Sequence, residues 1–443
     1  MRIKYLSIFG IAMLALSVIP AVSATAAVTA KAGAACKTAG AKATVGTKAL
    51  QCKSVKGKLV WTASAIAPVK PAVVDTACKP LAADAPVYKV GVQWSITGAL
   101  AVYGIAEKQG TDLAIKQANK CGINGHRIEQ VFYDPAGDAA KGVEYTNRLI
   151  QQDKVDFLVG GATSSGIALA IKAITQANDM FFMSAEASAA ITDPVTASPL
   201  TFSTTISTDV VAVKMMTYLK SKGIKSIAVA NSSSVYGTSG AASLKSAAAT
   251  YNIKYTAEQY DEASTDLTSV LRKLAEEKPG AIINWTSGTT GLVYFKNASD
   301  LELSKSMLVM SSFTYSNPAL MKQVGDASKN VIVAGIKGTL LASLAPSDPD
   351  YKNLKEFGDD LETEFKVPIT IYAAQAYDAM AITLAAINVA KSTQGSKIAD
   401  AVETLTFSGV QGTYRFSGAD HRGLGGKALE MMQWDGTKFV RIS

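Results

Sequence analysis

The stretch 156–166, Asp-Phe-Leu-Val-Gly-Gly-Ala-Thr-Ser-Ser-Gly, holds the residues best placed to do chemistry. Phe157, Leu158 and Val159 form the short apolar run of a buried parallel strand. Gly160 and Gly161 permit a sharp turn. Thr163, Ser164 and Ser165 are N-cap types, and Ile167 to Ala177 has the spacing of a helix. A strand, a Gly-rich turn and a Ser/Thr-capped helix leave N–H groups and hydroxyls facing one point. Such a point suits a carboxylate or another small anion. The same pattern also fits a plain βα turn, so the surrounding elements must decide.

Other chemistries find little support. Ser164 and Ser165 do not sit in Gly-x-Ser-x-Gly, the hydrolase elbow. His126 lies in a turn beside Arg127 and His421 in a Gly-rich loop beside Asp420, and both read as surface residues rather than a general base. A secreted serine hydrolase using Ser164 or Ser165, His421 and a carboxylate is the competing class. No Walker motif, dinucleotide fingerprint or metal-ligand spacing occurs, so neither a cofactor nor a metal is expected, and the chain reads as a non-enzyme.

The formal charge of +8 belongs to the N-terminal tail. Residues 1–80 carry eleven Lys/Arg against Asp75 alone, a balance of +10 that leaves −2 for residues 81–443. The body therefore has no nucleic-acid footprint. Arg2 and Lys4, the apolar run Leu6 to Ile19 and Val22-Ser23-Ala24 read as a signal peptide over 1–24. With no Cys near the cleavage site, the expectation is an exported protein, in the periplasm or cell-wall space, without a lipid anchor. Four cysteines in an exported chain suggest two disulfides, of which Cys36–Cys52 and Cys78–Cys121 each fall within one organisational unit. The first would close a loop of about 15 residues and contribute about 3 kcal/mol to a small unit.

Residues 25–61 form a small basic module whose Cys52 and Gly57-Lys58-Leu59-Val60-Trp61 predict a stapled β-hairpin. Its lysines suit contact with an anionic cell wall, or simple solubility. Residues 62–86, with Pro68, Pro71 and Pro80, read as an extended linker. From Val87 onward strands alternate with helices. Tyr88 to Val92, Ile128 to Tyr133, Phe157 to Val159 and Met180 to Met183 read as strands of a first series. A second follows with helices at Thr208 to Lys222 and Tyr236 to Tyr251, and strands at Ser226 to Ala230, Ile253 to Gln259 and Ala281 to Trp285. Tyr372 to Lys391 is a long helix. Such alternation indicates βαβ units and parallel sheets.

One set of short pieces stands in order over 87–443: Ser95-Ile96-Thr97-Gly98 with Tyr103-Gly104, Asn119 before Gly122-Ile123-Asn124-Gly125, and Tyr133-Asp134. Val159 to Ser165 before Met183-Ser184, Val235-Tyr236-Gly237 and Tyr377-Asp378-Ala379 complete it. In their order and spacing the chain resembles the type I solute-binding proteins of the leucine/isoleucine/valine-binding family. The resemblance implies an α/β fold of two lobes, each a mostly parallel sheet flanked by helices, joined by a three-crossover hinge near 207, 335 and 410. Lobe 1 would comprise 87–207 plus 336–410, and lobe 2 would comprise 208–335 plus 411–443. It implies a ligand held between the lobes, an amino acid or related aliphatic or aromatic carboxylate, passed to an ABC transporter permease or, alternatively, sensed by a receptor. Carried over, the carboxylate-binding positions fall on Ser164 and Ser165, and the next loop on Glu186 and Ser188. The aromatic positions fall on Tyr103 and Tyr236, and the second lobe's strand end on Trp285. One position departs: the acid that pairs with the ligand ammonium is replaced by Phe313. A buried ammonium without a counter-charge is costly. Glu186 is the substitute acid, or a solvated loop carboxylate if the ligand is not an amino acid.

Overall fold

The computed structural model describes residues 34–36, 42–45, 48–55, 58–63, 81–82 and 84–442. The expected signal peptide, most of the expected linker and Cys78 lie outside the described residues. The chain divides into two units, residues 1–67 and 68–443.

In the first unit, strands β1 (Lys42–Val45), β2 (Lys48–Val55) and β3 (Lys58–Ala63) form an antiparallel sheet in the order β1-β2-β3. The expected hairpin is therefore corrected to three strands. Thr44 and Val45 are strand formers, and β1 pairs antiparallel with β2. The segment around Cys36 lies on the other edge, where Cys36 N–H donates to Leu59 O at 3.0 Å and Trp61 N–H to Ala34 O at 2.8 Å. Cys36 and the buried Cys52 are joined by a disulfide with Cα atoms 5.8 Å apart.

The second unit begins with β4 (Val87–Gln93), α1 (Ala101–Ala118), β5 (Arg127–Tyr133), α2 (Ala139–Gln151), β6 (Phe157–Gly160), α3 (Ser165–Ala177), β7 (Phe182–Ser184) and β8 (Thr201–Ser203). Its five strands make a parallel sheet in the order β5-β4-β6-β7-β8. Phe157, Leu158 and Val159 are buried, as an apolar run in a covered parallel strand should be. Next come α4 (Thr208–Ser221), β9 (Ser226–Ser232), α5 (Val235–Tyr251), β10 (Lys254–Tyr260), α6 (Thr268–Glu276), β11 (Ala281–Trp285) and α7 (Thr290–Asp300). β12 (Leu308–Ser311), α8 (Pro318–Val324) and β13 (Ile332–Ile336) close that run. The chain ends with α9 (Tyr351–Phe365), α10 (Ile371–Ala390), α11 (Gly395–Thr404), the hairpin β14 (Thr406–Ser408) and β15 (Thr413–Arg415), then β16 (Leu429–Trp434) and β17 (Phe439–Arg441).

The second sheet runs β10-β9-β11-β12-β13-β16-β17, parallel through β13 and antiparallel beyond it. The chain thus passes between sheets after Ser203, after Ile336 and between Arg415 and Leu429. Helix α10 packs along α1, where a Cβ on Gly110 would stand 2.1 Å from Ala373 O. Only glycine permits that approach.

The first crossover is tied to α10 and to the β14–β15 hairpin. Asp378 of α10 accepts from the N–H groups of Val410 (2.8 Å) and Gln411 (3.0 Å) and from Tyr414 Oη (3.0 Å). Tyr414 Oη and Gln411 Nε2 in turn reach Thr204 O, at 3.1 and 3.2 Å. Cys121 is disulfide-bonded.

Candidate functional site

The turn after β6 is held in an uncommon conformation. Gly160 has φ 131°, and a Cβ there would stand 2.7 Å from Gln93 O. Ala162 and Thr163 follow with φ 58° and 60°, a left-handed pair that side chains adopt only when their surroundings hold them. Ser95 supplies that hold, its hydroxyl donating to Ala162 O at 2.7 Å and its N–H to Thr163 Oγ1 at 3.0 Å. Thr163 Oγ1 donates to Glu107 Oε2 at 2.7 Å, and Gln375 Nε2 donates to Glu107 Oε1 at 2.8 Å. The result aims the start of α3 into the space between the two sheets' lobes. Ser164 stands at the N-cap of α3 without making a capping bond through its side chain.

That space is a cavity of about 250 Å³. Tyr103, Ser164, Ser165 and Glu186 line it from the first lobe, with Tyr236 and Phe313 from the second. Two other expected site residues stand behind the wall. Ser188 directs its hydroxyl at Ser239 Oγ (3.3 Å) of α5 and its N–H at Ser165 Oγ (3.4 Å). Trp285 is fully buried beneath Tyr236, ring centroids 5.9 Å apart, with its indole edge against Gly240. Each is displaced from the cavity by the helix α5 that closes against it.

The lobes meet across this space. Gly288 N–H donates to Tyr103 Oη at 3.1 Å, and a Cβ on Gly166 would lie 3.5 Å from Val235 Cγ2. Tyr103 also stacks on Tyr372 with centroids 4.5 Å apart, and burial pushes its hydroxyl up to about 12. Phe313 meets Tyr236 edge-on at 6.0 Å. These contacts enclose an apolar half.

The polar half is acidic. Glu186 is buried in the loop after β7, and its Oε1 has no hydrogen-bond partner. Burial and the nearby Glu107 hold its carboxyl well above the usual range, while the Thr163 amide and the Arg422 guanidinium pull the other way. The buried carboxyl of Glu107 is likewise raised, chiefly by desolvation. Glu262, at the end of β10, lines the cavity from the second lobe. Its carboxyl is raised by partial burial and by Asp261. Among the described residues no Lys or Arg side chain lines the cavity. Glu186 is thus a wall carboxylate and not a solvated loop residue.

Several cavity residues escaped the sequence. Tyr372 and Gln375 open α10 on one face, and Glu262 stands where a strand ends. Glu107 did leave a signal: it interrupts a buried stripe of α1 that includes Tyr103, Ala106, Gly110 and Leu113. His421 corrects the expectation of a surface residue. It is buried, stacked on Phe202 at 3.8 Å, with Nδ1 2.9 Å from Thr201 O and Nε2 3.2 Å from Glu403 Oε1. It does not line the cavity and cannot serve Ser164 or Ser165 as a base. His126 is half-buried and stacks on Tyr88 at 3.9 Å. Among the described residues no group of three His, Cys, Asp or Glu could hold a metal, and no helix is long and apolar enough to cross a membrane.

Residues 87–438 match the family model described as periplasmic binding protein. A leucine-, isoleucine-, valine-, threonine- and alanine-binding protein of Pseudomonas aeruginosa is 27% identical over 361 residues, covering 78% of this chain and 89% of its own. An extracellular ligand-binding receptor from Rhodopseudomonas palustris HaA2 superimposes with a TM-score of 0.74 at 19% identity, over 80% of this chain and 99% of that one. A solute-binding protein of an ABC transporter from Rhodopseudomonas palustris BisB5, in complex with 3,4-dihydroxybenzoic acid, gives 0.69 at 20% identity, over 81% and 96%. The fold, the inter-lobe cavity and the matched family agree: the chain belongs to the type I periplasmic binding proteins, in the Leu/Ile/Val-binding family.

Proposed function

We propose that the protein captures a small α-amino acid between its lobes, outside the cytoplasmic membrane, and delivers it to an ABC importer. One observation carries the ligand class: a single cavity wall sets the start of α3, with Ser164 and Ser165, next to the buried carboxylate Glu186. An α-amino acid bears a carboxylate and an ammonium on one carbon, and these two features complement that pair. Helix N-terminal N–H groups and hydroxyls receive the carboxylate. Glu186 receives the ammonium, which also offsets the cost of ionising a buried acid. The side chain then lies toward Tyr236 and Phe313. Delivery to a permease is supported by the family and by closure of two lobes into one surface.

Isothermal titration over the common amino acids and simple carboxylates tests the ligand class. Binding of an amino acid that disappears in Glu186→Gln is the expected result; tight binding of carboxylates alone overturns it. A second reading, an aromatic or aliphatic carboxylate without an ammonium, is favoured by Phe313 and by the raised carboxyl of Glu186, which needs no cation while protonated. In that case Glu186→Gln leaves affinity unchanged. Deleting the gene separates importer from sensor: lost uptake supports the importer, whereas retained uptake with lost signalling supports a receptor partner.

A further inference from the structure

We infer that Arg422 is a positioning residue for this cavity, fixing the loop that carries Glu186 and supplying there a positive charge that opposes the like charge of Glu107; the inference deepens the amino-acid reading and rests on it.

Arg422 lies between β15 and β16, in the third crossover, far in sequence from every group its guanidinium binds. It is 6% exposed. Its Nε donates to Thr192 Oγ1 at 3.1 Å. Nη1 donates to Thr205 O at 2.9 Å, Glu186 O at 3.2 Å and Ser203 Oγ at 3.3 Å, and Nη2 donates to Ser188 O. One guanidinium therefore gathers carbonyls from the Glu186–Ser188 loop and from the first crossover. Its planar fork of donors can do this where a lysine ammonium could not.

The loop is shaped to deliver it. Asp420 Oδ1 accepts the N–H groups of Arg422 (2.9 Å) and Gly423 (3.0 Å), and Ser203 N–H donates to His421 O at 3.0 Å. Gly423 has φ 67°, and a Cβ there would meet the Arg415 backbone at 2.9 Å.

Among the described residues no carboxylate is hydrogen-bonded to the guanidinium, yet the charge is buried. Neutral donors could satisfy the same carbonyls at a smaller desolvation cost. The charge has a use if it acts on Glu186, whose carboxyl faces Glu107 from α1 as a like charge and Arg422 as the opposing one. Arg422 itself is faced by Asp193, Asp420 and Asp209 as well as Glu186. Burial pulls the guanidinium down to about 10, so it stays charged at neutral pH.

The test needs no ligand, so it stands or falls separately from the amino-acid screen. Melting temperatures of the full chain are compared at pH 5 and pH 8 for wild type, Arg422→Gln, Glu186→Gln and the double variant, with Arg422→Lys as the charge-conserving change. Arg422→Gln should lose more at pH 8, where Glu186 must ionise without its partner, and adding Glu186→Gln should restore part of that loss at pH 8 but none at pH 5. Arg422→Lys should lose stability to a similar extent at both pH values. Equal losses by Arg422→Gln at both pH values, additive with Glu186→Gln, would leave only a mechanical role and overturn the inference. If Arg422→Gln does not fold alone, folding recovered in the double variant supports it, and continued failure counts against it.

Discussion

Ser164 offers a clean separation of binding from stability. It holds the N-cap position of α3, where a serine hydroxyl normally accepts a helix N–H, yet it makes no such bond. Ser164 lines the cavity instead. A hydrogen bond to a charged group contributes about 1.5–3 kcal/mol, so Ser164→Ala should weaken ligand binding roughly ten- to hundredfold. Its melting temperature should stay close to wild type, because no cap is lost. Asp138 is the contrasting case: its side chain accepts the Lys141 N–H at 3.0 Å and caps α2, away from the cavity. Asp138→Ala should lower stability by about 1 kcal/mol and leave affinity alone. Isothermal titration and calorimetric melting of both variants give the comparison. The reasoning fails if Ser164→Ala binds as tightly as wild type, or if it melts as early as Asp138→Ala.

Other expectations follow from the same geometry. Glu186→Gln should abolish binding of an amino acid while sparing a simple carboxylate, as titration with both would show. Tyr103→Phe removes the acceptor of the Gly288 N–H across the cleft, a bond contributing about 0.5–1.5 kcal/mol, so affinity should fall up to about tenfold, mostly as faster release in stopped-flow experiments. Asp378→Asn turns an amide N–H₂ toward backbone donors and should destabilise the chain by about 1–3 kcal/mol in denaturant titration. Burial raises Asp378 to about 7, and Glu107 and Glu186 are raised too. Groups with raised carboxyl pKa values stabilise fully below their unfolded values near 4, and that stability is lost as pH climbs toward 7. Melting temperature should therefore fall from pH 5 to pH 8, and a steady rise over that interval would contradict these assignments.

Much of the fold was legible because period and punctuation agreed. Ala281 to Trp285 forms a strand at the limits its apolar run suggests, and α4 starts at Thr208 as its capping Ser207 indicates. Helices α7, α8 and α9 were missed. Leu354, Phe357 and Leu361 mark the buried face of α9 at helical spacing, a signal the sequence reading passed over. β8 has three residues, too few for any period to show. The site divided along the same line. Ser164, Ser165 and Tyr236 were readable because local turn chemistry or a motif marks them. Glu262, Tyr372 and Arg422 come from separate segments, and only the tertiary fold brings them to one place.

Phe313 shows how far a motif can be carried. The resemblance expects an acid there, and its loss alone would argue against an amino acid. The three-dimensional arrangement changes the weight of that loss, since Glu186 stands on the wall of the first lobe, with Glu107 acting on it as a like charge and Arg422 as the opposing one. The acid that pairs with a ligand ammonium need not come from the lobe that closes. Placed on the first lobe beside the start of α3, both charges of an α-amino acid can be met before closure. The second lobe then contributes Tyr236, Phe313 and the Gly288–Tyr103 bond, which supply apolar area and closure. In such a division, changes in the first lobe should act on whether the charged head binds at all. Changes at Tyr236 or Phe313 should act on which side chain is accepted and how long it stays. Tyr236→Ala should accordingly flatten the ranking among aliphatic and aromatic ligands while keeping the demand for a charged head. Loss of that demand in a Tyr236 variant would place the charge reading in the second lobe after all.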